Sequence, residues 1–180
     1  MPIERDVCQT TSASISDHGF EHIILDAVIG RNSHHNISSS LTAGDEGLFR
    51  SWINAFEIGI RLNRSIILVE SDTVAEHKYI DVNHQNADVV QVHSHMHGRR
   101  CSGMELSMDW IRHTHAAGAN KWSVEGMKRA LILIHNHHIR LPADHWLNFW
   151  CLKGRLTCFK QCNTYFRQRT DVASRREQVV

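Results

Sequence analysis

The sequence predicts a single α/β domain, a mixed sheet flanked by helices. Three observations carry this. Val89-Val-Gln-Val92 is a β-branched apolar run, and Ala130-Leu-Ile-Leu-Ile134 is a second; each ends in histidines. Between and before them lie stretches with helical periodicity that open on capping residues. Strand, crossover helices and strand again is the order of an α/β layer, which places the two histidine-ended strands side by side.

The expected organisation is a flexible segment over 1–19, the domain over 20–166 and a basic tail over 167–180. A chain of 180 residues can bury a core without help from metal or disulfides. Lys and Arg number 20 against 19 Asp and Glu, so no whole-chain field favours nucleic acid or an anionic membrane. The five cysteines, at 8, 101, 151, 158 and 162, are odd in number and scattered, which speaks for a reducing, cytoplasmic setting. No apolar run approaches the ~18 residues that span a bilayer, so no membrane contact is expected. Met1 to Asp6 lacks the basic-then-apolar order of a signal peptide. A secretion signal of another type within 7–18 stays as the alternative. Nothing in the residues assigns an oligomeric state.

Taken in order, Glu21–Ile29 is a first apolar element, helix or strand, closed by Gly30. Arg31 to Thr42, with three consecutive serines, reads as a loop. A helix starts near Asp45, a candidate N-cap, with Leu48, Phe49, Trp52 and Ile53 on one face. Phe56, Ile58, Ile60 and Leu62 then alternate with Glu57, Gly59 and Arg61. That pattern and the run Ser65–Glu70 predict a hairpin through Asn63-Arg64, with one helix continuing to Leu62 as the competing reading. A short helix is expected over Thr73–Ile80, and another from about Gly103 to Ala117. Ser123 opens a further capped start before the strand at Ala130–Ile134. Trp146–Leu152 is aromatic and apolar, and the chain turns basic beyond it.

The chemistry concentrates at His93-Ser-His95. Alternation along a strand puts both imidazoles on one face, roughly 6.5 Å apart. Neutral imidazole suits zinc, and a strand fixes its direction. A carboxylate is needed to complete three ligands, and Ser102-Gly-Met-Glu105-Leu-Ser-Met-Asp109 offers two acids one helical turn apart.

The order of these parts resembles the JAMM (MPN/JAB) metallopeptidase family. The matching residues are Glu57–Leu62 after a helix, Val90–His95 as the strand ending His-x-His, and Ser102–Glu105 as Ser-x-x-acid at a helix head. The resemblance covers about residues 45 to 135 and implies an MPN/JAB-like fold with a Zn2+ site cleaving a peptide or isopeptide bond in a peptide or protein substrate. It implies His93 and His95 as ligands, with the acid of the Ser-x-x-acid unit, Glu105, as the third; Asp109 is the other candidate. It also implies Glu57 as the general base and Ser102 as the hydrogen-bond donor to the oxyanion. Four departures stand out. The loop 96–101 is one residue short of the family's seven, Glu105 stands for the usual Asp, Met96 stands for the usual Pro, and Glu57 is nearer in sequence to the histidine strand than is usual in the family, which demands a trimmed sheet.

Other readings of the same residues exist. Ser102 and Glu105 also fit helix capping. His95-Met-His97 resembles the metal strand of HUH single-strand nucleases, with Tyr165 as the nucleophile. His145, Cys151, Cys158 and Cys162 are a candidate structural zinc set in a non-enzymatic module. The aromatics from Trp146 to Phe166, interleaved with Lys and Arg and followed by the basic tail, are a candidate surface for nucleic acid.

Overall fold

The computed structural model describes residues 13–14, 16–17, 37–38, 40–77, 86–94, 118–161 and 165–168. The expected element at Glu21–Ile29, the helix over 103–117 and most of the tail fall outside them.

Helix α1 spans Ala43–Arg61. Its N-cap is Thr42, whose Oγ1 accepts from Asp45 N at 3.1 Å, while the Asp45 carboxylate accepts from Thr42 N at 3.3 Å. Asp45 is thus the third residue of a capping box and not the cap. Phe49, Trp52, Ile53 and Phe56 form its buried row. The hairpin expected at Phe56–Leu62 does not form. Phe56 completes the helical row begun at Phe49, and the tertiary contacts of that row override the local alternation. Gly59 lies in the same row because Met127 packs there: a Cβ on Gly59 would stand 2.7 Å from the Met127 sulfur.

Beyond α1 come β1 (Ile66–Val69) and β2 (Thr73–Ala75). The segment at Thr73 is strand where a helix was expected, because it pairs with a strand 91 to 95 residues downstream. Strands β3 (Val89–Gln91) and β4 (His93–Ser94) follow, then β5 (Ala119–Trp122). Helix α2 covers Val124–Asn136 and α3 covers Ala143–Leu152. The chain closes its two sheets with β6 (Cys158–Lys160) and β7 (Phe166–Gln168).

The expected strand at Ala130–Ile134 is also helix. Ser123 caps α2 by accepting from Gly126 N at 3.0 Å, and Met127, Ala130, Leu133 and Ile134 then fall on its buried side. An unbroken apolar run fits either period, and the cap seven residues upstream decides it. The two histidine-ended runs are therefore not neighbouring strands.

The result is a mixed α/β architecture with two sheets. One has the order β1-β5-β3-β6, antiparallel except for the parallel β3–β6 pair. The other has the order β2-β7-β4, with β7–β4 parallel. Helices pack over one side, where Phe56 and Trp122 rings lie 4.7 Å apart and Phe49 meets Trp146 edge-on at 5.7 Å. Val90, Val92, Ala119 and Phe166 belong to a second cluster with Ala75 and Tyr165. Burial of β3 on both faces explains why it reads as a continuous apolar run and not as an alternation. Among the described residues, no helix is long and apolar enough to cross a membrane.

Candidate functional site at the crossing between the sheets

The chain passes from one sheet to the other at Val92. Before it, Gln91 is in register with Lys160; after it, His93 is in register with Phe166. The offset grows from 69 to 73, so four extra residues leave the ladder on the partner side. The gap is bounded by two hydrogen bonds, Gln161 N to Gln91 O and Tyr165 N to Val92 O, each 3.0 Å. On the other edge Val92 N donates to Ala119 O at 3.1 Å. The backbone leading into His93 is thus held from both sides. Carboxyl ends of parallel strands, where a sheet changes direction, are where α/β proteins form ligand crevices.

Amide side chains gather at this crossing, buried in an otherwise apolar sheet. Gln91 is 0% exposed, its register partner Asn120 is 1% exposed, and Gln161 is 4% exposed. Gln161 Nε2 donates to the Tyr165 hydroxyl at 3.4 Å, while its Oε1 accepts no hydrogen bond among the described residues. Burying amides costs free energy unless they are paired, so such a group has a positioning or functional role more often than a packing one. None of these three amides was singled out from the sequence. The available signal was the single polar residue inside Val89-Val-Gln-Val92.

The start of β3 is fixed by Asp88, which is buried. Its Oδ2 accepts from Thr157 N at 2.8 Å and from Arg129 Nη1 at 2.9 Å, and its carbonyl accepts from Ser123 N at 3.0 Å. The strand that leads to His93 is therefore tied to α2 and to the chain entering β6.

Of the residues expected to form a zinc site, His93 lies on β4. His95, Ser102, Glu105 and Asp109 lie outside the described residues. Glu57 is on α1, exposed, on the side away from the row that packs against Trp122. The strand start that the resemblance implies for it is a helix interior.

Of the candidate structural zinc set, Cys151 and Cys158 are joined in a disulfide, with Cα atoms 5.7 Å apart, and in that form supply no thiolate; His145 is exposed on α3 and Cys162 lies outside the described residues. The disulfide also corrects the expectation of free thiols: the turn after α3 brings the end of that helix against the start of β6. Among the described residues, no group of three His, Cys, Asp or Glu side chains is placed to hold a metal. Tyr165, the proposed nucleophile of a nuclease, is buried and takes part in the amide cluster.

No family model matches the chain, and no curated protein matches it.

Proposed function

We propose that the chain is a zinc-dependent hydrolase acting on a peptide or isopeptide bond. His93 and His95 would bind the metal, Glu105 or Asp109 would be the third ligand, and Ser102 would donate to the oxyanion. The observation that supports this is the position of His93 on a strand at the crossing between two sheets, with its backbone approach held on both edges. Two imidazoles and a carboxylate are a donor set that fits zinc. When bound there, zinc makes water acidic enough to attack at neutral pH.

The residues of the chain would hold the ion, orient the carbonyl and move the proton. The resemblance implies Glu57 as the base; it is an exposed residue of α1, and whichever of Glu105 and Asp109 does not ligate is the second candidate. A disulfide persists chiefly in oxidising surroundings, so Cys151–Cys158 fits the secreted alternative better than the cytoplasm.

The deciding experiment measures zinc in the purified full chain. About one ion per chain is expected, lost in His93→Ala/His95→Ala and kept in Glu57→Gln and His145→Ala. Zinc that survives the double substitution, or wild-type protein that takes up none, would end the proposal. With zinc bound, Glu105→Gln and Asp109→Asn separate the third ligand, whose loss releases metal, from the base, whose loss stops cleavage alone.

A further inference from the structure

The exposed surface is not evenly charged. Over residues 135–155, Arg140, Lys153 and Arg155 stand against the single carboxylate of Asp144, a net +2 before any histidine, in a chain whose total is +1. All three cations are exposed, whereas Asp144 is buried and accepts from His145 N at 2.8 Å. The region therefore presents a patch of exposed cations at both ends of α3, Arg140 before it and Lys153 and Arg155 after it.

Rings lie within that patch. On α3, Trp146, Leu147 and Cys151 turn to the core, and His145, Phe149 and Leu152 are exposed. Phe149 is 39% exposed and meets Trp150 edge-on at 5.0 Å. Trp150 is half-buried and contacts the ring of His137 at 4.7 Å. Lys153 Nζ lies over Phe149, 5.6 Å from its centroid. The hydrophobic core does not need Phe149, and the helix holds it beside a cation.

We propose that this face of α3, with the end of α2, binds single-stranded nucleic acid. Bases would stack on Phe149 and Trp150, and phosphates would meet Arg140, Lys153 and Arg155. An accessible ring with an ammonium less than 6 Å away matches the repeating unit of base and phosphate, and base–aromatic stacking is tolerant of sequence. The patch favours a polyanion over a neutral peptide, and its ring-and-cation pairing favours a nucleic acid over a lipid headgroup. This surface is separate from the crossing at Val92, so zinc binding and nucleic-acid binding can fail independently.

The test uses the full chain and a labelled oligo(dT) of about 12 nucleotides, followed by fluorescence anisotropy and by intrinsic tryptophan emission. Binding should weaken with salt at a logarithmic slope of about −2, the value for three cations on a single strand. Phe149→Ala should weaken it about tenfold with an unchanged circular dichroism spectrum. Lys153→Gln should make the slope shallower by about 0.7. Trp52, Trp122 and Trp146 are buried and Trp110 lies outside the described residues, so in a Trp110→Phe background quenching on binding should vanish in Trp150→Phe. Three results would overturn the proposal. One is an affinity unchanged in both Phe149→Ala and Lys153→Gln. Another is loss only when Arg169, Arg175 and Arg176 are changed to Gln. The third is binding to phosphatidylserine vesicles with none to the oligonucleotide.

Discussion

Arg129 Nη1 donates to both carboxylate oxygens of Asp88, at 3.2 and 2.9 Å, and so ties the middle of α2 to the residue that opens β3. The pair is asymmetric. The Asp88 side chain is 3% exposed and that of Arg129 is 55% exposed. The carboxylate also accepts a backbone hydrogen bond from Thr157, so its loss would take a partner from both that N–H and the guanidinium. Asp88→Ala should cost about 2 kcal/mol, in line with removing a buried, charged hydrogen-bond acceptor. Arg129→Met should cost about 1 kcal/mol or less, because the guanidinium is half solvated. Urea midpoints of the two variants check the ranking, and an equal loss in both would show that the salt bridge, not the backbone contact, is the larger effect.

Gly126 is the point at which α2 rests on the same residue. A Cβ at this position would stand 2.1 Å from the Asp88 carbonyl oxygen and 2.7 Å from its carbon, both backbone atoms that cannot turn aside. Gly126→Ala should therefore destabilise by about 3 kcal/mol or prevent folding, as overpacking against a fixed neighbour does. Gly44→Ala is the control. Its nearest neighbour would be Thr42 Oγ1 at 3.7 Å, an ordinary contact, and alanine favours helix. That variant should be neutral or gain up to about 0.5 kcal/mol. Thermal denaturation of the two alanine variants tests the contrast.

The same contacts explain what could be read from the residues. Val89–Val92 was legible as strand because both faces of β3 are buried, and Ser123 was legible as a cap because its hydroxyl does what its position suggests. Phe56–Leu62 and Ala130–Ile134 were misread for a common reason. Each can be read locally as a strand; the packing of Phe56 on Trp122 selects helix in the first, and the Ser123 cap together with Met127 against Gly59 selects it in the second. The short strands β2, β6 and β7 carry no local signal. Three residues with a partner up to 95 positions away are fixed by pairing, not by propensity. The candidate site was half legible. His93 was found on its strand, while Gln91, Asn120 and Gln161 were hidden because a buried amide looks like a surface residue until its neighbours are known.

Glu125, in the first turn of α2, is held below the usual carboxylate range. The main cause is the hydrogen bond from Lys128 Nζ at 2.6 Å; the charge of that ammonium comes next, and Arg129 adds to it. A depressed carboxylate favours the folded helix above its unfolded titration, and that contribution is lost as pH falls through the folded value. The pair is exposed and the effect on stability is small, so the informative measurement is local. In Lys128→Gln the side-chain carboxyl of Glu125, followed by NMR, should titrate at higher pH than in the wild type. An unmoved midpoint would assign the shift to Arg129 or to the helix dipole.

Cys151 closes α3 and Cys158 opens β6, and the disulfide between them spans a sequence separation of 7. A loop this short restricts the unfolded chain only modestly, so the stabilisation expected is about 2 kcal/mol. In a chain of this size that corresponds to a fall in Tm of about 6 °C when a dithiol reductant opens the bond. Cys158→Ser should start from the lower Tm and lose the part of the reductant response that this bond causes. Thiol titration of the unreduced wild type should find at least two fewer reactive groups than the five cysteines provide. The consequence reaches the candidate site, because β6 pairs with β3 directly before Gln91: opening the bond should raise hydrogen exchange at Val89 and Val90 more than along α1. Equal acceleration in both places would mean that the disulfide stabilises the domain as a whole and does not selectively hold the strand that leads to His93.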